Sequence, residues 1–331
     1  MREMTYAEAL AEALYEVLEQ DPRTVIIGGS FAGDDRYRAA FGELRRRFAG
    51  RISDPPISEL GYCGIAIGAA MTGLRPVVGV GTASFIFEAF PQVVNEAAYA
   101  HYGSAGHVRV PVVFHMRAGI RGAGAIQHSA SPQSMFWNTP GLTIAVPSTP
   151  ADVKGLMRTA VLRDDNPTVF VDHSRLHGLR GPVPDGEWEV PFGVADIKRQ
   201  GEDLTIIATS IMVPAALQAA EELASQDGLS VEVVDPRTLV PLDKATLLAS
   251  VAKTGRVVVA DETQRSCGVA AELAAIIAEE AFSYLRAPLR RVAIPDVPIS
   301  YSKTEEEYVT PTAAKIVQAA REIWRYEPPS R

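Results

Sequence analysis

The sequence predicts an α/β protein of two domains, each built on a parallel or mostly parallel sheet sandwiched between helices. Three observations predict it. The chain has 331 residues, and at roughly 100–200 residues per domain that length accommodates about two. Short β-branched runs alternate with helix-length segments along most of the chain, the pattern of parallel strands covered on both faces. The alternation breaks at residues 174–192, where His177-Gly-Leu-Arg-Gly-Pro-Val-Pro-Asp-Gly186 is rich in glycine and proline and reads as a linker. The expected domains are 1–176 and 193–331, joined by 177–192.

In chain order, Thr5-Tyr6-Ala7-Glu8 fits a capping box and opens a helix over 5–20, which Asp21-Pro22 stops. Residues 24–28 read as a buried strand and 36–48 as a polar helix. Pro55-Pro56 breaks the chain before a small-residue helix over 61–73, whose Gly64, Gly68 and alanines allow another backbone to approach closely. A strand over 76–81, a helix over 85–102, a strand over 110–116, a strand over 142–146, a helix over 150–163 and a strand over 168–172 complete the first half. In the second half, strands are expected at 204–209, 231–234, 257–260 and 291–293. Helices are expected at 213–224, 243–253, 268–285 and 311–325.

Composition excludes several function classes. Net charge is −8, which argues against a nucleic-acid-binding surface; Arg45-Arg46-Arg47 reads as a solvated helix face. The two cysteines, Cys63 and Cys267, form no disulfide framework and no usual zinc site. Both read as buried small hydrophobes in a reducing, cytoplasmic setting. The N-terminus lacks a signal-peptide pattern, and no apolar run is long enough to span a bilayer. There is no P-loop, no nucleophile elbow, and Gly28-Gly-Ser-Phe-Ala-Gly33 is out of register for a dinucleotide fingerprint.

Four features could carry chemistry. Glu59, just ahead of the small-residue helix, is either a dipole-complementing cap or a carboxylate partly desolvated among Ile57, Leu60, Tyr62 and Ile65 and suited to proton exchange. His128, after the glycine-rich run 118–124, is either a turn histidine or a general acid/base on a loop beside a rigid strand. Phe85 is either core or a ring at the carboxyl end of a strand, able to stack on a heterocycle. Asp164-Asp165-Asn166-Pro167 reads as a turn whose oxygens could also ligate a hard cation.

Together these pieces resemble a known family. Pro56-Ile-Ser-Glu-Leu-Gly61, Gly68-Ala-Ala-Met-Thr-Gly-Leu-Arg-Pro76, Gln92-Val-Val-Asn-Glu-Ala-Ala98, Gln127-His-Ser129, Thr139-Pro-Gly-Leu142, Val146-Pro-Ser-Thr-Pro150 and Asp235-Pro-Arg-Thr-Leu-Val-Pro-Leu-Asp243 occur in order. The set is similar to the beta subunit of the thiamine-diphosphate-dependent decarboxylating component of 2-oxo acid dehydrogenase complexes. The resemblance spans about residues 4–325. It implies a transketolase-like architecture, with a pyrimidine-binding domain followed by a transketolase C-terminal domain.

It also implies a partner. The family's alpha subunit carries Gly-Asp-Gly, which holds the diphosphate and Mg²⁺; this chain has no Gly-Asp-Gly. An α₂β₂ heterotetramer sharing thiamine diphosphate is the expected assembly, with a lipoyl acyltransferase as acceptor of the acyl group from a small 2-oxo acid. By position, Glu59 would bond the aminopyrimidine N1′, Phe85 would pack on that ring with Gln92 also at the cofactor, and His128 would face the reacting carbon. Val112, Val161, Leu162, Asp164 and Asn166 would bind a potassium ion, largely through carbonyl oxygens.

Some positions depart from the family pattern. His128-Ser129-Ala130-Ser131 stands for His-Ser-Gln-Ser. Gly79-Val-Gly-Thr-Ala-Ser84 lacks the usual two acids, and His101-Tyr102 replaces Arg-Tyr. The departures leave room for a two-component carboligase that joins the activated acyl unit to another carbonyl compound.

Overall fold

The computed structural model describes residues 1–28 and 35–327, with the backbone alone for 35–40. The out-of-register glycine stretch therefore lies outside the described residues from position 29 to 33. The chain divides into two compact units: Met1–Arg121, Gln127–Phe192 and Leu239–Pro241 form one, and Gly122–Ile126, Gly193–Thr238 and Leu242–Arg331 the other.

The first unit is built on a seven-stranded sheet. Its order is Thr238–Val240, Thr143–Ala145, Thr168–His173, Val113–Ala118, Arg75–Thr82, Thr24–Ile27, Ile52–Ser53. The last six of these pair in parallel throughout. The strands Arg75–Thr82 and Thr168–His173 are buried at every residue, as sheets covered on both faces require. At the end of Thr24–Ile27, Gly28 has φ +100°, and a Cβ there would stand 2.6 Å from the Gly79 carbonyl oxygen. Only glycine allows the two strands to lie this close.

The helix Tyr6–Gln20 starts as expected, with both halves of the Thr5–Glu8 capping box formed. It packs against the helix Pro150–Leu162. Two cations are buried in that contact. Lys154 bonds Glu12 at 2.6 Å and Glu16 at 2.8 Å. Arg158 bonds Glu16 at 2.8 Å and Gln20 at 3.1 Å. Full burial of such charges is tolerated only because each is paired.

The linker stretch and the N-terminus differ from expectation. Residues 177–192 group with the first unit. Within them Arg180–Val183 is a strand, pairing antiparallel with Arg2–Thr5. Neither is a strong strand in sequence; the pairing comes from a distant partner, Arg2 opposite Val183 being its outer pair, not from local propensity. The helix expected over 85–102 is also broken. It is a 3₁₀ segment, Ala83–Ala89, a π-helix, Gln92–Ala98, and a short helix, Ala100–Gly103. Pro91 lies at the break and cannot donate the backbone hydrogen bond that a continuous helix needs.

The second unit holds a five-stranded sheet ordered Arg290–Ile294, Val257–Gln264, Leu204–Ala208, Val231–Asp235, Asp196–Arg199. The first four are parallel. The last, unforeseen in the sequence, is an antiparallel edge. Met212–Asp227 and Ala313–Trp324 cover one face with an alanine- and valine-rich core. Lys303–Val309 is a further helix that the periodicity does not announce.

The Lys154 pairs generate a prediction. Lys154→Met removes a fully buried cation from two half-buried carboxylates, leaving Glu12 with Arg2 alone and Glu16 with Arg158 alone, and should cost about 3 kcal/mol in urea unfolding. Burial of Glu12 opposes ionisation, but Lys154 and Arg2 outweigh it and hold the carboxyl below its ordinary 4.5. Its stabilisation is therefore present above that value and lost as pH falls through the lower folded value. Lys154→Met should show a shallower acid-side decline.

Candidate functional site

Three parallel strands of the first sheet each hand the chain, at their carboxyl ends, to a segment bearing one selected residue. Ile52–Ser53 leads to Glu59, Arg75–Thr82 to Phe85, and Val113–Ala118 to His128. Ligands of open parallel sheets bind beyond these ends.

Glu59 is the first residue of the helix Glu59–Met71, and Ser58 caps that helix by accepting from the Gly61 amide at 3.3 Å. A carboxylate there complements the positive end of the helix. One turn on, burial and the charge and hydrogen bond of Glu59 raise the Tyr62 hydroxyl above its ordinary range. Burial, with a smaller contribution from Glu59, pushes the adjacent Cys63 thiol up to about 12.

The apolar pocket expected around Glu59 is not formed by this chain. Glu59 is half-buried, and Ile57, Leu60 and Ile65 are 92%, 53% and 60% exposed. The helix buries Tyr62, Cys63, Ala66, Ile67 and Ala70 and turns its other stripe outward. On that stripe Gly64 and Gly68 have open space where a side chain would be. An apolar, small-residue face of this kind marks a surface for a partner.

Phe85 and His128 meet edge to face, with ring centroids 5.5 Å apart. Both are half-buried. His128 ends the short helix Ala125–His128, after a turn in which Gly119 and Gly122 both have positive φ. The helix carrying Glu59 packs on the segments carrying Phe85 and Gln92. Around these residues, Ser84 Oγ, Gln92 Oε1, His128 Nδ1, Ser129 Oγ and Gln133 Oε1 are buried with no hydrogen-bond partner among the described residues. Buried polar atoms are normally satisfied, so a cluster of unsatisfied ones suits a polar ligand. Ser84, Ser129 and Gln133 were not selected from the sequence; their signal is burial, which a sequence does not display.

The five potassium-set residues lie apart from this cluster, by the amino ends of the strands. Asp164 Oδ1 accepts from the Asn166 backbone and side-chain nitrogens, both at 3.0 Å, so the turn is formed. The cation seated there is Arg75, a buried residue that donates to the Val161 and Asp164 carbonyls and to Asp165 Oδ1 at 3.1 Å. The Val112 carbonyl accepts from the Thr168 amide at 2.8 Å. No group of three or more His, Cys, Asp or Glu among the described residues is arranged to hold a metal ion.

A second buried cluster escaped the sequence. Asp172 Oδ2 takes His115 Nε2 at 3.0 Å and His177 Nε2 at 3.2 Å. Burial alone would raise the Asp172 carboxyl, but the two imidazoles outweigh it and hold it well below the usual range.

Comparison with known proteins shows the family of the chain. Residues 2–178 match the transketolase pyrimidine-binding domain and residues 193–316 the transketolase C-terminal domain. The beta subunit of acetoin:2,6-dichlorophenolindophenol oxidoreductase from Cupriavidus necator is 39% identical over 98% of both chains. The pyruvate dehydrogenase E1 beta subunit of Rickettsia conorii is 39% identical over 98% of this chain and 99% of that one. The 2-oxoisovalerate dehydrogenase beta subunit of Bacillus subtilis has the same identity and coverage.

The chain belongs to the family of 2-oxo acid dehydrogenase E1 beta subunits.

Its fold is transketolase-like. A solved split-gene transketolase, an inactive beta4 tetramer, superposes with a TM-score of 0.77 at 24% identity, covering 97% of this chain and 98% of that one. Transketolase from Leishmania mexicana gives 0.71 at 19%, covering 99% of this chain but 46% of its own. Against the family pattern, the strand that lacks the two acids carries a register irregularity between Gly79 and Gly81, with Gly81 at φ +88°. In this family member the cysteines also differ from expectation. Cys63 is buried but Cys267 is exposed, because it sits at φ +55° in the turn between Val257–Gln264 and the next helix.

That difference is measurable. At pH 8 a disulfide reagent such as Ellman's should titrate one thiol rapidly in the folded chain. Cys267→Ser should abolish the fast phase, and Cys63 should react only on unfolding.

Proposed function

We propose that the chain is the beta subunit of a thiamine-diphosphate-dependent 2-oxo acid dehydrogenase, decarboxylating a small 2-oxo acid and passing the acyl unit to a lipoyl group. The single observation that carries the reading is the placement of Glu59, Phe85 and His128 beyond the carboxyl ends of three strands of one parallel sheet, with the Glu59 helix packed on the Phe85 segment and Phe85 against His128, within a chain of this family. When bound, thiamine diphosphate supplies a carbon nucleophile and an electron sink for decarboxylation.

The residues present suit that group. Glu59, anchored at a helix start, would accept a proton-bearing ring nitrogen and hold the proton there. Phe85 would pack against the ring, with the Gln92 carbonyl oxygen as a further polar contact. His128 has an unsatisfied Nδ1, suited to hold a substrate oxygen or to move a proton beside the reacting carbon.

An alpha subunit would complete the site by bringing the diphosphate- and Mg²⁺-binding groups, in an α₂β₂ assembly. The outward stripe of Leu60, Gly64, Ile65 and Gly68 supports such a partner. Covering it would place Glu59 in the apolar surroundings that this chain alone lacks. The relatives named for pyruvate, acetoin and 2-oxoisovalerate support a short-chain substrate. Among the described residues no helix is long and apolar enough to cross a membrane.

The test is co-expression with an alpha subunit and assay of 2-oxo acid-dependent CO₂ release with and without thiamine diphosphate. Glu59→Gln should lower kcat at least 100-fold, with assembly unchanged by size-exclusion chromatography. His128→Ala should impair acyl transfer more than cofactor binding. Product analysis with and without a lipoyl acyltransferase separates this reading from a carboligase, which would release its product without lipoamide.

The potassium reading rests on the oxygen cluster of Val112, Val161, Leu162, Asp164 and Asn166. Carbonyl oxygens have two lone pairs, so those bonded to Arg75 retain a second acceptor position. It predicts a higher melting temperature in potassium chloride than in lithium chloride at equal ionic strength. Equal values would leave Arg75 as the cation of this turn.

A further inference from the structure

The edge of the second sheet carries a groove that the thiamine reading does not use. Arg290–Ile294 is the outermost strand, hydrogen-bonded on one side to Val257–Gln264. Among the described residues no strand pairs with its other side. A groove of about 450 Å³ runs beside it, with Lys315, Gln318, Ala319 and Glu322 of the helix Ala313–Trp324 as its other wall. Four consecutive strand residues, 290–293, line this groove. Side chains of a strand alternate between faces, so a groove lined by consecutive residues follows the backbone edge. Such an edge presents unpaired amides and carbonyls in alternation.

The groove is cationic on a chain of net charge −8. Arg265, Arg290, Arg291 and Lys315 line it, against the single carboxylate of Glu322. Glu322 faces Arg290 at 3.3 Å. Arg291 donates to the Arg265 carbonyl at 2.7 Å, and Lys315 to the Thr310 carbonyl at 2.8 Å. Asp296, at the rim, is held by Ser266 at 2.6 and 2.9 Å. The Arg265 side chain is exposed.

We propose that this edge docks an acidic, extended peptide segment of a partner protein, which adds as a strand beside Arg290–Ile294 and sets its carboxylates against Arg265 and Arg291, Arg290 being held by Glu322. The strand edge supplies main-chain hydrogen bonds, and the guanidinium groups select acidic side chains. A small polyanion would use the cations but leave the edge carbonyls idle, which is why a peptide fits better. The inference stands apart from the thiamine reading, since every residue it uses lies in the second unit.

Fluorescence anisotropy on the full chain tests it. The probe is a labelled octapeptide of alternating valine and glutamate. Controls are the same peptide with lysine for glutamate, and one N-methylated at alternate amides. The glutamate peptide should bind, and binding should weaken as sodium chloride rises. Both controls should bind at least tenfold more weakly. Arg265→Glu should reduce affinity at least tenfold with an unchanged melting temperature, and Arg265→Gln should fall between. The proposal is overturned by absence of binding, by indifference to N-methylation or to Arg265→Glu, or by tripolyphosphate binding as tightly as the peptide.

Discussion

The parallel hydrogen-bonding of the first sheet is the constraint on which the candidate site depends. Parallel strands place all their carboxyl ends along one edge. Three chain segments distant in sequence therefore emerge along the same edge, bearing Glu59, Phe85 and His128. The close approach of Gly28 to Gly79 and the fully buried strands Arg75–Thr82 and Thr168–His173 keep that edge in register. Antiparallel pairing would send neighbouring ends to opposite sides and scatter the same residues.

The opposite end of the sheet does different work. There Arg75 ties the Asp164 turn to its strand through two carbonyls and a carboxylate. Nearby in the same unit, Lys154 and Arg158 are paired with carboxylates across a helix contact. Beyond the carboxyl ends of Arg75–Thr82 and Val113–Ala118, the buried polar atoms of Ser84, Gln92, His128, Ser129 and Gln133 have no hydrogen-bond partner among the described residues. The outward apolar stripe on the Glu59 helix extends the same logic, since it is a surface left incomplete within one chain.

Much of the fold was legible because its signals are local. The Thr5–Glu8 capping box, the β-branched strand runs and the helices from 150 and from 313 each carry their own period or cap. The errors fell where a distant partner decides. Arg2–Thr5 and Arg180–Val183 are strands because they meet each other. Asp196–Arg199 is one because Val231–Asp235 offers it an edge. The break near Pro91 was visible as a residue, but the π-helix after it was not, because its bonding pattern depends on what packs against it. Cys267 shows the same limit: composition suggests burial, and a turn conformation exposes it.

By itself the sequence determined the fold class, the two α/β units and the identity of the residues at the strand ends, because periodicity and ordered motifs are written in neighbouring positions. Only the tertiary structure decided their surroundings. It brought Phe85 to His128, seated Arg75 in the carbonyl cluster, joined His115 and His177 through Asp172, and turned the apolar neighbours of Glu59 outward. Burial, orientation and pairing belong to contacts between residues distant in the chain. No local pattern specifies which side of a helix will face a core and which will be left for another molecule.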